Sequence, residues 1–268
     1  MFPDLCQLHR QQDLKADTGG YGGISDITVV SDTRLLAVVW WGSRVMLVDS
    51  QTGGTVAQLT LQANPRRVCM WDNTTAVVTL VGQKVQFINI NGDSLKMDRS
   101  LSVNGNVYGV GRSGDRLVVS YLSPPGLEVL SLDGKVMHTF NNKAAGRDVF
   151  KDPYFITIST DGMVYVSDGG NSTITQLDMS LRVTRTYSDA MLHTPRGIIS
   201  ISADQVLVCS YGNHRILLLC PSTGVITSIL GQQDGIEKPY ALTYSPSQRK
   251  LYVVPYDGVG TIQVFQHP

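Results

Sequence analysis

The sequence predicts an all-β ring, a six-bladed β-propeller of four-stranded antiparallel blades. Three observations predict it. One unit recurs six times in the 268 residues: a short strand, a turn, an apolar second strand, a tight turn and an apolar third strand. Its first turn falls near Asp32, Asp72, Ser113, Asp161, Asp204 and Gln248, in steps of 40, 41, 48, 43 and 44 residues. That is the length four short strands and their turns occupy in a propeller blade. The last copy runs out at His267-Pro268 after its third strand, while an unassigned segment, Leu8 to Ala16, precedes the first copy. Pairing that segment with the last blade closes the ring by its N-terminal strand and leaves no free sheet edge at the seam.

The whole chain, 1–268, reads as one domain. Blade one covers about 24–61, with its core in Ile27 to Asp49. Blade two covers about 64–103, blade three about 106–140 and blade four about 148–187. The long step before blade four is an insertion, Asn141 to Phe150, read as a loop. Blade five covers about 192–231 and blade six about 236–268, with the closing strand at about 8–16. Period-two patterning and β-branched residues place the strands. In blade five they fall at Gly197 to Ser202, Gln205 to Ser210, Arg215 to Cys220 and Val225 to Leu230. The turns between third and fourth strands carry Asn91-Gly92, Asp133-Gly134 and Thr223-Gly224, which favour positive φ. No segment carries a helical stripe.

Composition removes several classes. Hydrophobic residues are 42% and charged residues 16%, with 26 Gly, so neither a disordered chain nor a coiled coil fits. Lys plus Arg and Asp plus Glu are 22 each, so no global field draws the chain to nucleic acid or to an anionic membrane. The longest apolar run, Leu35 to Trp41, is far short of the ~20 residues of a membrane helix. The polar N-terminus does not read as a signal peptide, and the expected location is cytoplasmic. Cys6, Cys69, Cys209 and Cys220 form no C-x-x-C pair, so neither a zinc site nor a disulfide framework is expected. The sequons at Asn73 and Asn171 fall on turns, and without a secretory signal they are not expected to carry glycans.

Two copies carry a recognisable motif. Blade five has Pro195-Arg196-Gly197-Ile198 and Tyr211-Gly212-Asn213-His214-Arg215-Ile216. Blade four has Asp161-Gly162, Val164-Tyr165-Val166 and Ser167-Asp168-Gly169-Gly170-Asn171. Blade six keeps Pro239 and Leu251-Tyr252-Val253; blades one to three are degenerate. The repeat resembles the NHL repeat, and the chain resembles the C-terminal propeller of tripartite-motif (TRIM) proteins of the NHL class. The resemblance implies a non-catalytic recognition module, of the kind that recruits substrates to a ubiquitin ligase, with a protein or peptide ligand. RNA, single-stranded or stem-loop, is the alternative ligand. The resemblance further implies a monomeric propeller with no cofactor. Asn213 also reads as a turn residue of left-handed conformation, with no role beyond blade geometry.

The loops entering the first strand and those between second and third strands share one face, which is the chemically richer one. The candidate binding residues there are Trp40, Trp41, Arg66, Arg67, Tyr108, Tyr121, Tyr154, Arg196, Tyr211, His214, Arg215, Lys238, Tyr240 and Tyr256. Trp, Tyr and Arg dominate interaction hot spots, and they also stack on bases and pair with phosphates. With Arg44, Lys84, Arg147 and Lys151 included, bases on this face outnumber the acids Asp26, Asp148, Asp152, Asp168, Glu237 and Asp257. A third reading, a metal-dependent propeller enzyme of lactonase or lyase type, needs ligands converging from several inner strands. The inner strands show no recurring acid or histidine; only His193 and His214 share a copy near this face. No G-x-S-x-G elbow and no phosphate-binding loop occur. The sequence-based expectation is therefore no catalytic residue, no metal and no enzyme.

Overall fold

The computed structural model describes residues 7–20, 22–140, 142 and 148–267. Cys6, Arg147 and most of the Asn141 to Phe150 insertion lie outside the described residues. The chain forms six four-stranded antiparallel sheets. Strands a to d of blade one are Ile24–Ser31, Arg34–Val39, Arg44–Asp49 and Thr55–Thr60; those of blade two are Pro65–Met70, Thr75–Leu80, Lys84–Asn91 and Ser94–Ser102. Blade three has Val107–Ser113, Arg116–Leu122, Pro125–Ser131 and Val136–Phe140; blade four has Pro153–Ile158, Val164–Asp168, Thr173–Leu177 and Val183–Tyr187. Blade five has Pro195–Ser202, Gln205–Ser210, Arg215–Cys220 and Val225–Leu230. Blade six has Pro239–Ser245, Lys250–Pro255 and Thr261–Gln266, and its fourth strand is His9–Lys15 from the other end of the chain.

Ring closure follows the expectation. His9 stands opposite Gln266 and Lys15 opposite Thr261, with one bulge between Arg10 and Gln12. Leu14 is buried at the seam, as are the flanking Leu8 and Ala16. Strands b and c are apolar on both faces because each blade is sandwiched between two others; Val206 to Cys209 and Ile216 to Leu219 are all buried. Strands d carry the solvent face, and Val183–Tyr187 is exposed at every residue but its last.

All six inner strands start with the same irregularity. Between the first and second paired residues, strand a holds one residue more than strand b. Such a β-bulge leaves a residue out of the ladder and re-aims its side chain. The bulges fall at Ser25, Arg66-Arg67, Tyr108-Gly109, Tyr154, Arg196-Gly197 and Tyr240. In four blades a buried proline opens the strand (Pro65, Pro153, Pro195, Pro239), where the missing N–H costs the ladder least.

Hydroxyls from the preceding blade hold this rim. Ser25 donates to the carbonyl of Arg66 (3.3 Å), Thr79 to that of Tyr108 (2.6 Å), Ser120 to that of Pro153 (2.8 Å) and Ser167 to that of Arg196 (2.7 Å). At Gly197 an added Cβ would lie 2.8 Å from the Cα of Ala241 in blade six. Only glycine lets those two inner strands approach so closely.

Candidate functional site

The six bulges form a ring around the upper mouth of the central channel. The channel below is a cavity of about 120 Å³ lined from every blade, by Asp26, Cys69, Val110, Phe155, Ile198 and Thr243 among others. Arg67 closes its top. This guanidinium is 2% exposed; its Nη1 donates to the carbonyls of Ser25 (3.0 Å) and Arg66 (2.8 Å), and its Nη2 to the Tyr240 hydroxyl (3.2 Å). Its Cζ sits 3.6 Å from the ring centre of Phe155 and 4.7 Å from that of Tyr108. Cation–π contacts are strongest where water is excluded, as here.

Two further guanidiniums stand on the same aromatic ring. Arg66, 8% exposed, lies over Tyr108 (4.5 Å) and Trp40 (5.1 Å); Arg196 lies over Tyr154 (3.7 Å). The Nε atoms of Arg66, Arg67 and Arg196 are all buried without a hydrogen-bond partner. None of the ion pairs found among the described residues involves these three arginines.

The tyrosines around them respond. Burial opposes ionisation of Tyr240, yet the charge and hydrogen bond of Arg67, a hydrogen bond from Tyr108 and the charge of Arg196 outweigh it. The Tyr240 phenol is held below the usual tyrosine value. Tyr108, its partner, is pushed the other way, chiefly by burial. Beneath them Asp26 is fully buried and accepts from the N–H groups of Ile27 and Val68, each at 2.9 Å. Burial raises its pKa to about 6, against the pull of Arg67 and those two N–H groups. Cys69 lines the channel as a thiol, pushed up to about 12, first by burial and then by the Asp26 charge.

Beside the ring, between blades one and six, lies a cavity of about 560 Å³ walled by Trp40, Trp41, Tyr108, Tyr240 and Tyr256, with Lys238 on its edge. Trp41 is 70% exposed and Tyr256 63%. The two tryptophans stand edge to face at 6.0 Å, in the turn after strand b. Tyr211 bridges Tyr240 and Tyr256 through edge contacts at 6.4 and 6.1 Å.

Several anticipated face residues stand elsewhere. Tyr121 is buried in blade three, where its hydroxyl donates to Glu128 Oε2 at 2.6 Å. It lines a separate cavity of about 500 Å³ with Pro124 and Pro125. Arg215 reaches outward to the Ser228 hydroxyl of its own blade (3.2 Å) and does not join the other arginines. His214, not Asn213, is the left-handed residue (φ 58°), and its Nδ1 accepts from the Lys238 N–H. Asn213 Nδ2 donates to the Met191 carbonyl at 2.7 Å. Asp168 is wholly buried and accepts from the N–H groups of Lys151, Asp152, Gly170 and Asn171. It organises a turn and faces no ligand. The Asn171 amide donates to Asp168 and to the Val149 carbonyl. Cys69 and Cys209 are free thiols.

Among the described residues, no three His, Cys, Asp or Glu side chains gather as a metal site. The carboxylate in the channel, Asp26, faces a guanidinium, so a cation placed there would meet Arg67. These residues do not fit the channel metal of the lactonase-type reading. No helix among the described residues is long and apolar enough to cross a membrane.

No family model matches the chain, and no curated protein does. Solved structures do. A catalytically inactive histidine-to-alanine variant of virginiamycin B lyase from Staphylococcus aureus, with quinupristin, is 14% identical and superimposes with a TM-score of 0.68, covering 95% of this chain and 98% of that one. The selenomethionine form of the same lyase is 15% identical, with the same TM-score and coverage. A streptogramin B lyase is 11% identical, with a TM-score of 0.66 over the full length of both chains. At these identities the likeness establishes the six-bladed propeller fold. It also corrects the expectation of a non-catalytic, TRIM-type recognition module for protein or RNA, and of a chain that is not an enzyme. Nothing in these comparisons ties the chain to that class, and the solved propellers it superimposes on are enzymes.

Proposed function

We propose that this chain is a propeller enzyme of the lyase type, with its active centre at the tyrosine–arginine mouth and Tyr240 as the base. One observation carries the reading: the Tyr240 oxygen accepts from the buried Arg67 guanidinium at 3.2 Å, a charge that favours the ionised phenol. A base works best with a pKa near the working pH. Tyr240 phenolate takes a proton from the carbon next to a substrate carbonyl. The C–H pair becomes a carbon–carbon double bond, and the group on the next carbon leaves with its bonding pair. The Tyr240 proton then passes to that leaving group, which restores the phenolate. Arg66 and Arg196 flank the base and stabilise the negative charge that develops on the carbonyl oxygen. No water is added and nothing is oxidised. The lyase neighbours support the class of reaction. We also read the repeat as NHL-like in its turn chemistry, on the strength of Asp168 and Asn213, each of which ties a turn to the loop entering its own blade.

The test has two parts. In an ultraviolet titration of the phenols, the first tyrosine to ionise should vanish in Tyr240→Phe. The protein should also be incubated with quinupristin and with carboxylic acids and esters bearing a leaving group one carbon beyond the α position. Products of elimination, with a new double bond and no added water, should form with the wild type and not with Tyr240→Phe. An unchanged titration, or full turnover by Tyr240→Phe, would overturn the assignment.

A further inference from the structure

We propose that the mouth takes an anionic substrate, a carboxylate or phosphate monoester on an aromatic body, with the anion on Arg66 and Arg196 and the body in the cavity of Trp40, Trp41 and Tyr256. The inference rests on the reading of this mouth as the substrate site. Its first support is the imbalance of charge. Three guanidiniums crowd the rim, two of them buried, and Asp26, the carboxylate beneath them, already accepts one backbone N–H on each oxygen. Arg67 spends its Nη atoms on carbonyls and on Tyr240. Among the described residues, the side chains of Arg66 and Arg196 have ring faces as their contacts and no hydrogen-bond acceptor, and the Nε of each is buried and unpaired. A buried donor without an acceptor is costly. A carboxylate or phosphate, with several acceptor oxygens, satisfies planar guanidinium donors better than any neutral group.

The second support is the wall. Stacking on Trp40, Tyr108 and Tyr154 fixes both guanidinium planes before any ligand arrives, so little side-chain freedom is lost on binding. The adjacent cavity of about 560 Å³ begins at Trp40, Tyr108 and Tyr240, the residues on or beside which the arginines rest. Its exposed Trp41 and Tyr256 offer flat apolar faces to a ring.

Binding is measured by calorimetry and tryptophan fluorescence with phenylacetate, phenyl phosphate, the neutral phenylacetamide and inorganic phosphate alone. Phenylacetate or phenyl phosphate should bind at least 10-fold more tightly than phenylacetamide, and whichever is tighter identifies carboxylate or phosphate as the headgroup. Arg196→Gln, checked for an unchanged melting temperature, should remove that preference by weakening the anions far more than phenylacetamide. Trp41→Ala should weaken the aromatic anions and leave inorganic phosphate unaffected. Equal affinity for anion and amide, no binding of either anion, or an Arg196→Gln loss shared by all ligands would each overturn the proposal. The probes carry no leaving group, so the outcome is separable from turnover. Anion selectivity without any elimination activity sinks the enzyme reading alone; elimination on neutral esters with no anion preference sinks this inference alone.

Discussion

The Arg67 guanidinium of blade two lies 3.6 Å from the ring centre of Phe155 of blade four, over the top of the channel. It links blades two and four, which are not neighbours in the ring. Replacing Phe155 by Leu keeps an apolar side chain and removes the ring quadrupole. A loss of about 1–2 kcal/mol is expected. Arg67→Met should cost more, about 2–4 kcal/mol, since it strands the carbonyls of Ser25 and Arg66 and leaves Asp26 without its cation. Urea midpoints at constant slope check both; a midpoint for Arg67→Met no lower than that for Phe155→Leu would contradict the ranking.

The N-terminal strand should be essential to stability. Deleting residues 1–18 removes the six register pairs with Thr261–Gln266 and the buried Leu8, Leu14 and Ala16. The cost should be several kcal/mol, with an exposed strand edge prone to self-association. Leu14→Ala isolates the packing part, at about 2–4 kcal/mol. Thermal melts and sedimentation of both variants decide; a truncated chain that melts with the parent refutes the closure.

Asp26 sets a pH dependence of unusual sign for a carboxylate. Its pKa is about 6 in the fold against the ordinary 3.8, so the folded state holds the proton more tightly than the unfolded one. Stability from this group is therefore highest below the ordinary value and falls as pH rises through about 6. At about 1.4 kcal/mol per unit the total is on the order of 2–3 kcal/mol. Asp26→Asn cannot titrate, so the difference in unfolding free energy between wild type and variant should shrink by that amount from pH 4 to pH 7. A difference that stays constant over that range would sink the argument.

Asp168 should behave as a structural residue. Asp168→Ala strands four backbone N–H groups, and several kcal/mol of stability should go with them. Amide exchange should quicken at Lys151, Asp152, Gly170 and Asn171 and stay unchanged at the opposite blade. Ligand binding at the mouth should survive at temperatures where the variant is folded.

The blades were legible because each repeats the same turns and the same alternation. In blade five, strands b, c and d match the sequence reading residue for residue, and strand a begins two residues earlier, at Pro195. The missing strand of blade six announced its partner. The site was legible only in outline. Arg66-Arg67 reads as a loop pair on the binding face and not as a buried one, because local sequence does not reveal the aromatic faces of Trp40, Tyr108 and Phe155, which come from three other blades. For the same reason Phe155 is not singled out by the sequence, and Asp26 enters only as one of the acids of this face. One local signal was present: the proline before Arg66, Tyr154, Arg196 and Tyr240 marks the start of the inner strand, and the next residue is the one the bulge turns over the channel. Tyr121 has no such proline before it, and it is buried away from the mouth.

The bulge residues are free of the ladder that holds each blade together, and this has a consequence for how such a mouth changes. Ser25, Arg66, Tyr108, Tyr154, Arg196 and Tyr240 occupy one equivalent position in each blade. A substitution there leaves the blade's own pairing untouched. Apart from Ser25, whose hydroxyl ties blade one to the Arg66 carbonyl, the positions behave as a dial of letters on a fixed wheel, so new ligand chemistries are reachable by rewriting one letter per blade without redesigning the wheel.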